Sequence, residues 1–504
     1  MDESTAARPR IAIIGSGFSG ICLGIALRKA GFRSFTIFEK MDRLGGTWRD
    51  NSYPGAACDS PSFAYCFSFE QKTDWSRKWA RQPEILAYLE HCARKYDLLS
   101  HLRLGCEIAS ARFDDERNFW RLRTTAGEEH EAEILVGATG QLNRPSSPEI
   151  PGLGDFPGAA FHSARWNHAC DLAGKDVAVI GNAASAIQLI PEVAPRVRKL
   201  LVFQRSANWM VPKLDRPFTE REKARFTRHP WIARLYRWWL WLSFEIRWPV
   251  FRGNAFMSRQ SQRIATEHVL GSVREEGLRR TLIPDYPIGG KRILISDDYY
   301  PALQRENVQV VTDPIERVAE NGVVTQGGRV HPVDVLILAT GFETTSFLAP
   351  MQIEGSGGHL LADAWKDGAE AYLGISVAGF PNLFLMYGPN TNLGHNSIIF
   401  MIECQTGYIV DCLRQMRERG LASIDVRREV MRDFNTEIQR ELAGTVWART
   451  DHSWYKTKSG RITNNWSGPT VRYWWKTRRA DLAVYQLVSA VPSGASERRA
   501  LARA

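Results

Sequence analysis

The sequence predicts an α/β protein made of two doubly wound, Rossmann-like dinucleotide-binding units with a helical insertion. Three observations carry this. An apolar strand, a glycine-rich turn and a helix occur in succession twice, with turns at Gly15 and Gly181. A second apolar strand ending in Ala-Thr-Gly also occurs twice, at Ala138-Thr139-Gly140 and Ala339-Thr340-Gly341. Between the two halves of the second unit, residues 214–283 turn basic and tryptophan-rich. A chain of 504 residues is long enough for two or three such domains.

The run from Arg10 to Ile14 suits a buried parallel strand. It leads into Gly15-Ser-Gly17-Phe18-Ser19-Gly20, then a helix up to Gly31 and a strand from Ser34 to Phe38 that ends at Glu39. That order is a dinucleotide fingerprint with separable physical reasons. Gly15 allows the tight turn, Gly17 lets a pyrophosphate approach the backbone, and Gly20 lets helix and strand pack. The helix N-terminus offers unpaired N–H groups to phosphate. Glu39 can accept hydrogen bonds from a ribose diol.

A helix is expected over 83–99 and a buried strand from Ile134 to Ala138. The second unit opens with the strand Val177 to Ile180, the turn Gly181-Asn182-Ala183-Ala184-Ser185-Ala186 and a helix to about Ile190. Its next strand, Leu200 to Phe203, ends in Gln204-Arg205-Ser206 rather than in an acid. Arg205 can pair with a 2′-phosphate, which favours NADPH over NADH. A methyl at Ala183, where glycine is usual, would crowd the cofactor or shift the loop. A strand from Leu383 to Tyr387 and a long amphipathic helix ending before Gly420 complete the pattern.

Bulk properties narrow the class. Hydrophobic content of 44% and charged content of 24% are those of a soluble globular protein. The net charge of +10 favours anionic ligands such as nucleotide phosphates. Nothing resembles a nucleic-acid motif. Eight scattered cysteines without a C-x-x-C pair argue for reduced thiols, against a metal site and for a cytoplasmic protein. The stretch Trp231 to Val250 holds five tryptophans but also Arg234, Arg237, Glu245 and Arg247, too many charges for a bilayer span. An amphipathic helix is expected there, with its aromatic side chains packed inside. Peripheral membrane contact or a substrate entrance is the other use of such a helix.

Between the two units lies Phe156-Pro-Gly158-Ala-Ala-Phe-His162-Ser-Ala-Arg-Trp166-Asn167. Read as F-x-G-x-x-x-H-x-x-x-W, it resembles the fingerprint of the Baeyer–Villiger monooxygenases, although Asn167 stands where the family has Pro or Asp. Gly45-Gly46-Thr47-Trp48 and Tyr53-Pro-Gly-Ala-Ala-Cys58-Asp59 are similar to the family's flavin-contacting segments. The resemblance spans residues 10–475. It implies FAD at the first unit, held by Gly15, Gly17, Phe18, Ser19, Gly20, Glu39, Gly46, Thr47, Trp48, Asp59, Tyr65, Ile108 and Ile398. NADPH falls to the second, at Gly181, Asn182, Ala183, Ser185, Ala186, Arg205, Ser206, Lys291, Arg292 and Trp454.

The same resemblance divides the chain into an FAD domain (1–150 and 375–490), an NADP domain (151–213 and 284–374), a helical insertion bordering the substrate cavity (214–283) and a disordered tail (491–504). It implies an FAD-dependent NADPH monooxygenase of class EC 1.14.13. Such an enzyme inserts one atom of O2 beside a ketone carbonyl through a C4a-peroxyflavin, giving an ester or lactone. Arg292 and Asp59 are the expected catalytic pair, the arginine as a fixed cation and the aspartate orienting it. The aromatic insertion suggests a bulky apolar ketone. The competing readings are an N- or S-oxygenating flavin monooxygenase, a cofactor-binding protein without turnover, and an oxidase releasing hydrogen peroxide.

Overall fold

Two five-stranded parallel sheets with the same internal order organise the chain. In this computed structural model the described residues are 9–450, 454–457 and 459–490. The tail expected at 491–504 lies outside them. The sheet strands, in chain order, are β1 (Ile11–Ile14), β2 (Phe35–Phe38), β3 (Leu102–Arg103), β4 (Ile134–Gly137), β5 (Ala159–His162), β6 (Asp176–Ile180), β7 (Lys199–Phe203), β8 (Val308–Val311), β9 (Val335–Leu338) and β10 (Leu383–Leu385). The helices used below are α1 (Phe18–Lys29), α2 (Ala184–Val193), α3 (Pro230–Glu245), α4 (Ile398–Arg419) and α5 (Thr470–Thr477).

The first sheet runs β10-β4-β1-β2-β3 and the second β5-β9-β6-β7-β8. In each, the strand before the glycine turn lies at the centre, with the Ala-Thr-Gly strand on one side. Both central strands are apolar because neither face meets water; Ile13 and Val179 are fully buried. Each unit inserts a three-stranded antiparallel sheet before its Ala-Thr-Gly strand. These are Ile108–Asp114, Phe119–Thr124 and Glu129–Ala132 in the first, and Ile315–Ala319, Gly322–Thr325 and Val330–Pro332 in the second. Strand Gln352–Glu354 pairs parallel with Ile108–Asp114.

The repeat extends to single hydrogen bonds. Gly15 N–H donates to the Phe38 carbonyl at 2.8 Å, and Gly181 N–H to the Phe203 carbonyl at 3.0 Å. Both glycines have positive φ, +110° and +112°. A Cβ at Gly15 would stand 2.6 Å from the Ala138 carbonyl oxygen, and one at Gly181 2.4 Å from that of Ala339. The Ala-Thr-Gly strand therefore ends against the turn, and that approach excludes a side chain.

Element ends differ from the sequence reading where single residues turn left-handed. The helix expected over 83–99 is Gln82–Lys95, stopped by Asp97 at φ 49°. Strand β10 stops at Leu385 rather than Tyr387, which has φ 57°.

The insertion forms helices Glu220–Arg228, α3, Trp248–Phe251, Ala255–Ser272 and Glu276–Leu282. It is pinned to the first unit at Phe63, whose ring meets Phe226 at 4.8 Å and Tyr236 at 5.4 Å. Arg237 crosses from α3 to donate to the Phe63 and Cys66 carbonyls at 2.9 and 2.7 Å. The expectation that the aromatic residues of this stretch pack inside holds for Trp248, which is buried, and in part for Tyr236 and Trp241. Trp231, Trp238 and Trp239 are 59%, 58% and 57% exposed. They lie on the face of α3 opposite the buried Ala233 and Leu240, so helical periodicity turns them outward.

Candidate active site

The two glycine turns open into one cavity of about 1170 Å³. That exceeds the usual single-ligand range of about 300–1,000 Å³. Its wall takes residues from both turns, from the loop after Gly45, from the 53–60 loop, from Lys291-Arg292 and from the start of α4.

The 53–60 loop crosses from the first unit to the second. Tyr53 OH donates to Gln188 Oε1 on α2 at 2.9 Å, and Gln188 Nε2 donates to the Ala57 carbonyl at 3.0 Å. Gly55 is needed at this contact, because a Cβ there would meet the Gln188 carbonyl oxygen at 2.3 Å. The loop thus carries Asp59 to Arg292. Arg292 donates from Nε to Asp59 Oδ2 at 2.7 Å and from Nη2 to the same oxygen. Burial alone would pull the guanidinium down. The Asp59 carboxylate more than offsets this, and the group ends above its usual value. A permanent cation therefore lines the cavity between the two turns.

At the first turn, Gly46 has φ +53° and faces Gly17, with its missing Cβ 3.1 Å from the Gly17 Cα. Phe18 stands edge-on to Tyr65 at 5.0 Å, and Trp48 Nε1 donates to Tyr65 OH at 3.2 Å. Glu39 is buried and accepts from Ser16 N–H at 3.1 Å, Ser16 Oγ at 2.7 Å, Met41 N–H at 3.1 Å and Arg49 Nη1 at 2.9 Å. Those donors fill the roughly four lone-pair sites of a carboxylate. A ribose hydroxyl would bind Glu39 by displacing one of them, the rotatable Ser16 hydroxyl most readily. Gln141, buried in the cavity wall, has no partner for either amide atom among the described residues. It retains hydrogen-bonding capacity for a polar ligand, which fits the dinucleotide expected there.

At the second turn, Asn182 Nδ2 donates to Gln204 Oε1 at 2.9 Å and to the Ser206 carbonyl at 2.8 Å, tying the turn to the end of β7. Lys291 Nζ donates to Ser206 Oγ at 2.9 Å and lies 4.5 Å from the Tyr286 ring centroid. Burial lowers the Lys291 pKa, and repulsion from Arg205 lowers it further. Arg205 is exposed on the cavity wall. Two cations held together beside a hydroxyl fit a phosphate monoester, whose charge would relieve their repulsion.

Most of the residues singled out in the sequence line this cavity, including Ile108, Ser185, Ile398 and Trp454. Gly20 and Ala186 do not. A Cβ at Gly20 would lie 2.0 Å from the Gly15 carbonyl oxygen, so Gly20 serves helix packing, and Ala186 is fully buried. Phe156, Gly158, His162 and Trp166 also stand away from the wall. They flank or end β5 (Ala159–His162), the edge strand of the second sheet paired with β9. A Cβ at Gly158 would meet the Asp334 carbonyl oxygen at 2.3 Å, and Trp166 packs edge-on to Phe161 at 5.2 Å. His162 Nδ1 accepts from Ala164 N–H at 3.0 Å, and burial, with help from Arg165, lowers its pKa. The sequence reading missed Gln141, Gln188 and Arg49. The signals available were a polar residue right after Ala-Thr-Gly and one in an otherwise apolar helix.

Residues 12–219 match the model of the pyridine nucleotide-disulphide oxidoreductase family. A Baeyer–Villiger monooxygenase of Pseudomonas aeruginosa is 43% identical over 95% of this chain and 92% of its own. One of Streptomyces coelicolor is 41% identical over 96% and 93%. Among solved structures, an oxidised steroid monooxygenase bound to NADP superposes with a TM-score of 0.85 at 30% identity, covering 96% of this chain and all of that one. A closed cyclohexanone monooxygenase does so at 0.84 and 29%, covering 96% and 99%.

Proposed function

This chain belongs to the Baeyer–Villiger monooxygenases, and from that premise we infer that it uses FAD, NADPH and O2 to insert one oxygen atom beside a ketone carbonyl, giving an ester or lactone. The observation that carries the reading is the Arg292–Asp59 pair on a wall shared by two nucleotide turns. We assign the enzyme to class EC 1.14.13. FAD would be held by the Gly15–Gly20 turn, Glu39, Gly46, Thr47, Trp48, Tyr65, Ile108 and Ile398, and Gln141 adds a free amide. NADPH would be held by the Gly181–Ser185 turn, Arg205, Ser206, Lys291 and Trp454. FAD, when bound, would supply a hydride acceptor for NADPH and a carrier for oxygen derived from O2.

The protein's own part is electrostatic and positional. Arg292 keeps its proton at any working pH, so it stabilises negative charge developing on oxygen as the ketone is attacked. Asp59 holds the guanidinium by its Nε edge and so fixes where that charge points. The ketone carbonyl need not be protonated, and no titrating side chain has to supply a proton at this step. Substrate size would be set by the loop leading into α4, through Asn392, Leu393 and Asn396, since among the described residues none of 214–283 lines the cavity and the insertion expected to border it stands outside the wall. The chain divides, on this reading, into an FAD domain of 1–150 and 375–490, an NADP domain of 151–213 and 284–374, and the insertion 214–283. Strand Gln352–Glu354 crosses back to the first domain.

Incubation of the FAD-loaded enzyme with NADPH and a panel of ketones and thioethers, followed by mass spectrometry, tests the assignment. Ester or lactone products should dominate. Sulfoxide formed in excess of ester would place the enzyme with the heteroatom oxygenases instead.

A further inference from the structure

Three of the five exposed tryptophans among the described residues stand on the outward face of α3. Trp231, Leu235, Trp238 and Trp239 are each more than half exposed, and Ile246, just past the helix, is 61% exposed. Their spacing places them on one side of the helix, along an arc that also holds the exposed Arg234. The inward side is committed: Ala233 and Leu240 are buried, Arg237 reaches the Phe63 and Cys66 carbonyls, and Trp241 Nε1 donates to Thr470 Oγ1 of α5 at 3.0 Å. The helix is therefore held rigidly with its tryptophans turned to solvent. Contiguous apolar surface of this kind marks an interaction site on a soluble protein.

Charge identifies the partner. Residues 214–283 contain fourteen Lys and Arg against seven Asp and Glu, a surplus of seven out of the chain's ten. Arg228 and Arg234, three residues to either side of Trp231, are exposed, and among the described residues neither forms an ion pair. A protein partner would need a complementary apolar surface with acids around it. An anionic bilayer supplies both features without shape matching. Indole rings settle at the level of the headgroups, and arginine reaches from an apolar face to phosphate. No helix of the described residues is long and apolar enough to cross a membrane, so the contact is parallel to the surface.

We propose that the exposed tryptophan and arginine face of α3 docks this enzyme on the surface of anionic phospholipid membranes. Docking goes beyond the oxygen-insertion reaction and does not depend on it.

Co-sedimentation of the FAD-loaded full chain with vesicles tests this. Vesicles containing phosphatidylglycerol should pull down the enzyme, vesicles of phosphatidylcholine alone should do so far less, and about 1 M salt should release it. Two double variants, Trp231→Ala/Trp238→Ala and Arg228→Glu/Arg234→Glu, should each cut the bound fraction at least about tenfold while keeping bound flavin and ketone turnover. The use of one apolar and one charged pair covers the case in which either fails to fold. Failure to sediment with phosphatidylglycerol, or binding of both folded variants like the parent, would overturn the proposal. So would a dimer in sedimentation velocity that the tryptophan variant splits while vesicles leave it unbound, since the face would then join two copies of the chain.

Discussion

Arg292 grips one oxygen of Asp59, Oδ2, through both Nε and Nη2. The pair stands on the cavity wall and joins the 53–60 loop to Lys291-Arg292. Removal of the cation should therefore spare hydride transfer and sharply slow oxygen insertion. Arg292→Ala is expected to bleach bound flavin with NADPH at close to the parental rate. Its ester formation should fall by about 10²–10³-fold, the usual cost of losing one donor to a developing oxyanion, with hydrogen peroxide released in its place. Stopped-flow reduction and product analysis on the same preparation check both halves. Parental ester yield from this variant would remove Arg292 from the chemistry.

The pair Arg205 and Lys291 reads the cofactor's phosphate on this geometry. Each bond from a charged donor to a phosphate oxygen contributes about 1.5–3 kcal/mol. Arg205→Ala/Lys291→Ala should therefore raise the KM for NADPH by at least about a hundredfold and leave that for NADH nearly unchanged. Equal losses with the two cofactors would show that these cations act on something other than the 2′-phosphate. Steady-state kinetics with each cofactor decides it.

Ala183 occupies the place in its turn that Gly17 has in the first. The two backbones match, with φ −80° and ψ −163° at Gly17 against φ −90° and ψ −158° at Ala183. The methyl has thus not moved the loop; it projects from an exposed position on the cavity wall. Ala183→Gly should leave the melting temperature unchanged and lower the KM for NADPH by about threefold or more, in line with one methyl group in a binding site. An unchanged or higher KM would show that the methyl is accommodated.

Legibility followed physical locality. The glycine turns, the strands and the Ala-Thr-Gly ends could be read because strand, turn and helix are contiguous and each glycine answers a local steric need. The Asp59–Arg292 pair is separated by 233 positions, and only family resemblance suggested it. Glu39 was readable as an acid at a strand end, but its saturation by Ser16, Met41 and Arg49 depends on a loop that periodicity does not place. The fingerprint around His162 marks the family, and its middle, Ala159–His162, is an edge strand away from the cavity wall. A fixed pattern of residue types marks either chemistry or packing, and only tertiary position separates them. Three tryptophans of α3 depart for the opposite reason: aromatic residues are expected to pack inside, but the inward face of the helix is taken by Ala233, Tyr236, Arg237, Leu240 and Trp241, which leaves Trp231, Trp238 and Trp239 outside.

Asp425 offers a stability test away from the cavity. Its carboxylate accepts the Gly379 N–H at 3.0 and 3.1 Å, but burial outweighs this bond and the attraction of Arg428 and raises its pKa to about 6. The folded state therefore favours the protonated form. The contribution is fully present below the unfolded value near 3.8 and is lost as pH rises through about 6. Asp425→Asn keeps an oxygen for Gly379 and has no charge to bury. The FAD-loaded variant should melt higher than the parent above pH 6, and the gap should close below about pH 4. Thermal unfolding across that range measures it, and a variant that melts lower at pH 8 would mean that Asp425 is stabilised as the anion.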